Sequence, residues 1–516
     1  MKNKTGYFQP AFNEQSSGST FSKDLRYLSF FAVAMILLHL PVLSRYGIHR
    51  DELYAYSCSL RLGLGYLDHA LVTPWVTAFS LFLFGKSIIA FRIFPLLSGA
   101  AVLILTGLMA RALGGRRFSL NIAALCIILS PYFVRTSHCM SQISFEALFW
   151  TASALVLVRI LKQGPSPWWL VFGITSGLGL ITRPSMLVYG VGVTAALMLT
   201  PYRRHLGSKW FWLGGVAAFL ILLPNLVWQM DHDWATLSFL RETRNGPGIP
   251  PLTEFLFGQA LYLGPLRALV CAGGFIYLMT GRQPYLRVFG WIFLVTLLIM
   301  SVMKSKIYYI LPVYPVLIAA GGVFLENVLM PGRSRRLVST VLLISGVILL
   351  PLALPVLPLE KVDAYTHAVS FGLIDDTEKY TGFYHDQVGW DRHAAALKTV
   401  YETLPAEVQN RCFFLAGSYG AAGALEYFLD FPGRPPVACN NLSWHYWPQP
   451  DDRYDIALVL SYTGGWLEDL FDRVVFLGST PTVPLAADKS FAVWLCLEPK
   501  GPYREIRPDK VTYDWM

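Results

Sequence analysis

Charge is what this sequence has least of. Only 15% of its 516 residues are Asp, Glu, Lys or Arg, whereas 54% are hydrophobic. Ordinary soluble domains carry roughly 25% charged and roughly 45–50% apolar residues. Together with a mean hydropathy of +0.45, this excludes a soluble globular protein, a disordered chain and a nucleic-acid-binding module. A cysteine framework is missing too. The seven cysteines show no CxxC or Cys/His spacing of the kind that holds zinc. Cys58, Cys126, Cys139 and Cys271 lie in apolar sequence, where free cysteine behaves as a small hydrophobe. Cys412, Cys439 and Cys496 fall in the more polar C-terminal part, where the sequence leaves one disulfide open. No nucleotide-binding motif occurs. Residues 1–24 are polar and lack a short apolar core with a small-residue cleavage site, so no cleaved signal peptide is expected.

Acidic residues are scarce in one part only. Residues 1–357 hold 29 of the 42 Lys and Arg but 11 of the 33 Asp and Glu, a net charge of +18; residues 358–516 carry −9. Two regions of opposite chemistry have been joined. Apolar runs able to cross ~30 Å of hydrocarbon recur from residue 25 onward. Eleven are expected, at about 25–44, 88–113, 117–134, 142–161, 167–182, 184–200, 210–229, 255–280, 285–303, 307–328 and 337–357. Runs that abut at a proline extend the range to twelve or thirteen. The apolar stretch 70–84 is short and reads as interfacial or re-entrant. The expected fold is therefore a polytopic α-helical membrane protein with a C-terminal extracytoplasmic α/β domain. Its divisions are an N-terminal tail (1–24), a membrane domain (25–357) and an exported domain (358–516). In the last, helices near 389–404 and 420–429 alternate with short β-rich runs such as CFFLAG, DIALVLSY and FAVWLCL.

Loop charge sets the orientation. Basic clusters (Lys2 and Lys4, Arg111/Arg116/Arg117, Arg203/Arg204/Lys209, Arg333/Arg335/Arg336) fall on alternate loops, which are assigned to the cytoplasm. An odd span number then places 358–516 on the periplasmic side of a bacterial inner membrane. Of the 11 acids in 1–357, Glu14, Asp24 and Glu326 are cytoplasmic on this reading. The other eight (Asp51, Glu52, Asp68, Glu146, Asp231, Asp233, Glu242 and Glu254) fall in or beside outer loops. Ionisable groups near a membrane are costly and commonly functional. Solvated loop acids account for Glu242 and Glu254 but poorly for Glu146, which sits inside an apolar helix. Any chemistry belongs to the outer face.

The first outer loop, HRDELYAYSCSLRLGLGYLDH (49–69), pairs Asp51 with Glu52 just after a span, then runs through aromatics to Asp68 and His69. This pattern resembles the bacterial relatives of protein O-mannosyltransferases and of the lipid A aminoarabinose transferase, within the C-type glycosyltransferase superfamily. The motif departs from those families at its end, where Ala70 to Pro74 replace a Pro pair. The segments FEALFW (145–150), GLGLITRPSML (177–187), LLPNLVWQMDHDW (222–234), KSKIYYILPVYP (304–315) and GSYGAAGALEYF (417–428) resemble the same subgroup in kind and order. A further departure is NNLSWHYWPQP (440–450), which puts substrate contacts of the exported region in doubt.

The resemblance implies transfer of a sugar from a polyprenyl-phosphate-linked donor to an extracytoplasmic acceptor: a glycolipid, a polysaccharide or a protein. It implies Asp51 as the base that takes the acceptor's proton, with Glu52 orienting it or helping to bind a metal. Asp51 as a mere helix cap is the competing reading. Fixed cations are needed at the leaving phosphate. Lys304, Lys306 and Arg183 lie at outer ends of spans, with Tyr308 and Tyr309 as hydrogen-bond donors; snorkelling and an interfacial aromatic belt are the plain alternatives. Asp68, His69 and Glu146 join the candidate substrate-binding set. Asp231, His232 and Asp233 are the candidate ligands of a divalent metal ion. Trp228, Trp234, Trp444 and Trp447 are candidate sugar-stacking residues. Membrane lipids and the lipid-linked donor are the expected partners; nucleic acid is not. The rival classes are a polytopic lipid or solute transporter, which would place ionisable groups near the midplane in repeated halves, and a non-catalytic envelope scaffold, which would tolerate loss of Asp51.

Overall fold

A computed structural model of the protein describes residues 14–68, 70–246, 249–372 and 377–512. Among them six helices are long and apolar enough to cross a membrane: Phe21–Val42, Ile88–Ala112, Ile143–Gln163, Lys209–Asp231, Ile307–Val328 and Arg333–Leu352. A seventh apolar run, Leu252–Leu263 with Pro265–Thr280, is bent by 107°. The bend has a local cause: Gly264 adopts φ +90, open to glycine at no steric cost, and Pro265 starts a new helix without an N–H to donate. Other predicted runs resolve into shorter apolar helices. Pro184 follows Arg183 between Trp168–Leu180 and Met186–Met198, each 13 residues long, and Pro131 ends the predicted 117–134 run after Arg117–Ile128. At 1.5 Å per residue a 13-residue helix spans only about 20 Å, so these segments are full helices of less than full membrane length. The apolar stretch 70–84 is one of them, Val72–Phe84.

Two of the three acids assigned to the cytoplasmic side close ion pairs at that end. Asp24 accepts from Arg111 Nε at 2.6 Å and Nη2 at 2.7 Å. Glu326 faces Arg335 at 3.5 Å and accepts from the Arg116 backbone N–H at 2.6 Å. The loops carrying Arg111, Arg116 and Arg335 are thereby held by acids of the first and penultimate spans.

The C-terminal region holds a five-stranded sheet in the order β2-β1-β3-β5-β4. Its strands are β1 (Cys412–Ala416), β2 (Val437–Cys439), β3 (Ile456–Ser461), β4 (Phe471–Ser479) and β5 (Ala492–Pro499). β1 runs parallel to β2 and β3, while β5 is antiparallel to β3 and β4. Both faces of β1 and β3 are covered, which is why their sequences are unbroken apolar runs. Phe413, Leu415, Ala457 and Val459 pack with Leu467, Leu470 and Tyr503. Phe414, Ala416, Leu458 and Leu460 share a core with the helices Trp390–Thr403 and Tyr419–Phe428 and with Leu53, Tyr54 and Ala55 of the first outer loop. One hydrophobic core therefore runs from the sheet into the membrane-embedded part.

All seven cysteines are free and buried. The open disulfide is not formed, for a geometric reason. Cys496 lies in the core on one side of the sheet and Cys412 and Cys439 in the core on the other. Cys439 pairs in register with Ala416, four residues or about 13 Å along β1 from Cys412, beyond disulfide reach.

Candidate active site

The first outer loop forms a helix, Arg50–Ser59, and its cap is His49. His49 Nδ1 accepts the Asp51 N–H at 3.0 Å, while Glu52 Oε2 reaches back to the His49 N–H at 2.9 Å. The capping role weighed for Asp51 thus belongs to its neighbour. Burial pushes the His49 imidazole down to about 4, against the opposing pull of Asp386 and Glu52, so it stays neutral and able to accept. Asp51 sits in the first helical turn, where a carboxylate suits the helix dipole. Its side chain is 46% exposed, and Oδ1 accepts from the Tyr419 hydroxyl at 3.0 Å.

Glu52 points the other way. It and Arg92 are both fully buried and meet through two contacts, Nε to Oε1 at 3.2 Å and Nη2 to Oε2 at 3.1 Å. The Met140 N–H adds a third donor at 3.3 Å. Arg92 also donates to the carbonyls of Leu43 and Gly47 and to Gln387. This arrangement fixes the turn that enters the Asp51 helix and leaves Glu52 off the cavity wall.

Asp51 opens into a cavity of about 840 Å³, lined also by Tyr54, Asp68, Lys306, Tyr308 and Tyr309. Apolar side chains, among them Leu261, Leu349 and Leu352, line another part of it. Lys306 stands at the N-cap of the 3-10 turn Ile307–Val313. Lys304 is exposed, at φ +53, and does not line this cavity. Tyr54 donates to Asp68 Oδ1 at 2.9 Å. Glu146 and Arg183 form a buried pair at 3.0 Å, with Ser185 also donating to Glu146. The Arg183 guanidinium lies 3.8 Å from the Tyr309 ring centroid, so this pair backs the aromatic wall. Of the expected substrate-binding set, Asp68, Lys306, Tyr308 and Tyr309 meet Asp51 at one cavity. Glu146 and Arg183 stand behind it, and His69 lies outside the described residues.

The expected metal ligands are not assembled. Asp231 and Asp233 are exposed, while the His232 ring stacks on Trp228 at 4.1 Å with Nδ1 2.8 Å from the Trp228 carbonyl. Among the described residues no three His, Cys, Asp or Glu side chains are grouped to hold an ion. Trp444 and Trp447 flank the Arg61 guanidinium at 4.8 and 4.6 Å, and Arg61 also pairs with Glu426. These aromatics clamp the sheet region to the first loop. The divergent segment NNLSWHYWPQP supplies a second clamp: Ser443 Oγ lies 2.6 Å from the Tyr54 hydroxyl and accepts from the Leu67 N–H at 3.0 Å.

Known proteins share both the fold and part of the sequence. The family model described as dolichyl-phosphate-mannose-protein mannosyltransferase matches residues 68–228. ArnT from Cupriavidus metallidurans, solved bound to undecaprenyl phosphate, superposes with a TM-score of 0.61 at 15% identity, over 91% of this chain and 98% of that one. Its apo form gives 0.56 at 16% identity, over 94% and 99%. The chain shares the fold of ArnT and, over residues 68–228, is similar to the dolichyl-phosphate-mannose-protein mannosyltransferases. Lipid A galacturonosyltransferase RgtD of Rhizobium johnstonii is 27% identical over 227 residues, 42% of this chain and 46% of that protein, so the match spans about half of the relative.

Four further residues bear on the site. Arg92 was detectable as a cation inside the apolar run 88–113. Tyr419 lies in the GSYGAAGALEYF segment, whose glycines let the helix Tyr419–Phe428 approach the loop helix: a Cβ on Gly423 would lie 2.8 Å from the Leu53 carbonyl group. Asp386, paired with Arg50, and Arg135, on the cavity wall, have no local sequence signature.

Proposed function

We propose that the protein transfers a sugar from a polyprenyl-phosphate-linked donor to an extracytoplasmic glycolipid, with Asp51 as the general base. One observation carries the reading: the half-exposed Asp51 carboxylate shares a single cavity with Lys306, Tyr308 and Tyr309. ArnT's capture with undecaprenyl phosphate and RgtD's lipid A acceptor support the choice of substrates. The acceptor hydroxyl oxygen bonds to the anomeric carbon as the bond from that carbon to the phosphate oxygen breaks. The electron pair leaves with the lipid phosphate, whose growing charge Lys306 offsets. The hydroxyl proton passes to Asp51. Tyr419 orients the carboxylate through Oδ1, so that Oδ2 faces the acceptor. Glu52 and Arg92 are positioning residues that hold the helix carrying Asp51.

Asp51→Asn keeps the shape but removes the basicity, so labelled-sugar transfer falls by about 10²–10⁴-fold while donor binding stays close to native. Lys306→Ala reverses the pattern and weakens donor binding. Near-native turnover in a well-expressed Asp51→Asn protein overturns the mechanism. The same reading puts residues 358–516 in the periplasm, because the chemistry uses a lipid-linked donor and the basic loops gather at the opposite end. A reporter fused after residue 360 that is active only in the periplasm tests this; cytoplasmic activity overturns it.

A further inference from the structure

A cation inside an apolar span is costly and commonly functional, and Arg267 is fully buried in one. It lies in the first turn of the helix Pro265–Thr280, just past the Gly264 break. Among the described residues no carboxylate pairs with it. What it meets is the last span. Nη2 donates to the Leu342 carbonyl at 3.0 Å, and Nη1 lies 3.4 Å from Ser345 Oγ. In the helix Arg333–Leu349 the buried residues are Leu342 and Gly346, and both belong to this contact, since a Cβ on Gly346 would collide with Nη2. On the other side a Cβ on Gly264 would lie 3.2 Å from Nη1 and 3.0 Å from Leu349 Cδ1. Two glycines make room for one guanidinium.

Helices in lipid gain little by burying apolar surface against each other, because the surrounding acyl chains are equally apolar; close approach at small residues and hydrogen bonds between helices hold them together. The last span is mostly exposed along its length. Asn121 donates to its Ser339 at 3.0 Å, farther from the cavity, and Arg267 ties the end near the cavity. That end matters. Leu261 and Pro265 line the apolar part of the Asp51 cavity from the two sides of the break, and Leu349 and Leu352 line it from the last span. Arg267 stands behind this wall and fixes one side against the other. With the donor phosphate assigned to Lys306, the polyprenyl tail extends into the apolar part. We propose that Arg267 is a positioning residue for the lipid donor: it pins the last span to the bent pair and so shapes the wall that selects a long polyprenyl tail. This rests on the glycosyltransferase reading above and adds how the tail is recognised.

The test measures binding of two sugar-free probes, undecaprenyl phosphate and farnesyl phosphate, to the protein in phospholipid nanodiscs, with Kd expressed as a mole fraction of the bilayer lipid. The probes share a phosphate and differ in tail length, and the native protein binds the longer one more tightly. Arg267→Met removes the hydrogen bonds but keeps an apolar side chain. It weakens undecaprenyl phosphate binding about 5–30-fold, the worth of an interhelical hydrogen bond in membrane model peptides, and leaves farnesyl phosphate within about twofold. Arg267→Lys, which still reaches the Leu342 carbonyl, stays near native. Gly346→Ala displaces the guanidinium with Arg267 in place and reproduces the selective loss, which keeps the test decisive if Arg267→Met fails to insert. Lys306→Ala weakens both probes alike, because it acts on the phosphate they share. An equal loss of both probes in Arg267→Met is the mark of a merely structural role and overturns the proposal. So does an unchanged affinity for the long lipid, or equal native binding of the two, and neither result touches the parent reading. A native protein that binds neither lipid phosphate overturns the parent reading and this one with it.

Discussion

Changing Glu52 to Gln separates the structural role assigned to this carboxylate from a chemical one. In the native protein its two oxygens accept from Arg92, from the His49 N–H and from the Met140 N–H, and neither Glu52 nor Arg92 has exposed surface. The amide removes the negative charge and turns one acceptor into a donor that faces other donors. Arg92 keeps its carbonyl partners but loses its counter-charge. Breaking a buried pair in this way destabilises by about 3–5 kcal/mol, a large share of the roughly 5–15 kcal/mol that holds a typical domain together. The damage is concentrated at the N-terminus of the Asp51 helix, so transfer and stability fall together. The apparent melting temperature, followed by tryptophan fluorescence in detergent, and labelled-sugar transfer are the two readouts. The double variant Glu52→Gln with Arg92→Met removes both charges and recovers part of the lost melting temperature, giving a favourable coupling in a double-mutant cycle. Two results refute the argument. One is a Glu52→Gln protein that melts like the native protein yet transfers more than 10²-fold more slowly. The other is a double variant no more stable than Glu52→Gln alone.

Acid acts on the same turn through His49. Its folded value of about 4 lies below the unfolded value of about 6.5, so as pH falls the unfolded chain takes the proton first. The stability due to neutral His49, about 3 kcal/mol by linkage, is complete above pH 6.5 and lost progressively down to pH 4. Melting curves across that range should show this loss in the native protein and a smaller one in His49→Asn, whose amide oxygen caps without titrating; identical curves argue against it. Gly423→Val places a branched side chain against the Leu53 backbone and forces the two helices apart at a cost of about 1–3 kcal/mol. Both melting temperature and transfer should drop, and an unchanged protein contradicts the close approach.

Much of the site was legible because its acids are few. In a region so poor in carboxylates, the gathering of Asp51, Asp68 and Glu146 near one face needed no coordinates to be noticed. What each acid does was not legible, because it depends on partners distant in the chain. Glu52 looks like a twin of Asp51 until Arg92, 40 residues away, claims it. Glu146 drew attention as a charge in an apolar helix, and Arg183 and Ser185 account for it. Span lengths failed for a different reason. Hydropathy measures how apolar a run is but registers neither the Gly264–Pro265 break nor the helix ends near Pro131 and Pro184. In the C-terminal region the β-rich runs marked the strands well, most plainly β1 and β3, which are covered on both faces and so are written as unbroken apolar segments.

The core shared by the loop helix and the sheet region has a consequence for how the protein comes into being. Asp51 and Tyr419 are 368 residues apart in the chain. At about 5–20 residues per second, a ribosome needs roughly 20–70 s after making the first to deliver the second. Throughout that interval Leu53, Tyr54 and Ala55 lack the surface that later buries them, and Asp51 lacks the hydroxyl that orients it. The membrane spans can insert one after another during synthesis, yet the centre they surround is completed only as the last third of the chain docks. A nascent chain stalled before residue 419 would therefore be inserted and inert, its first outer loop an apolar surface awaiting closure.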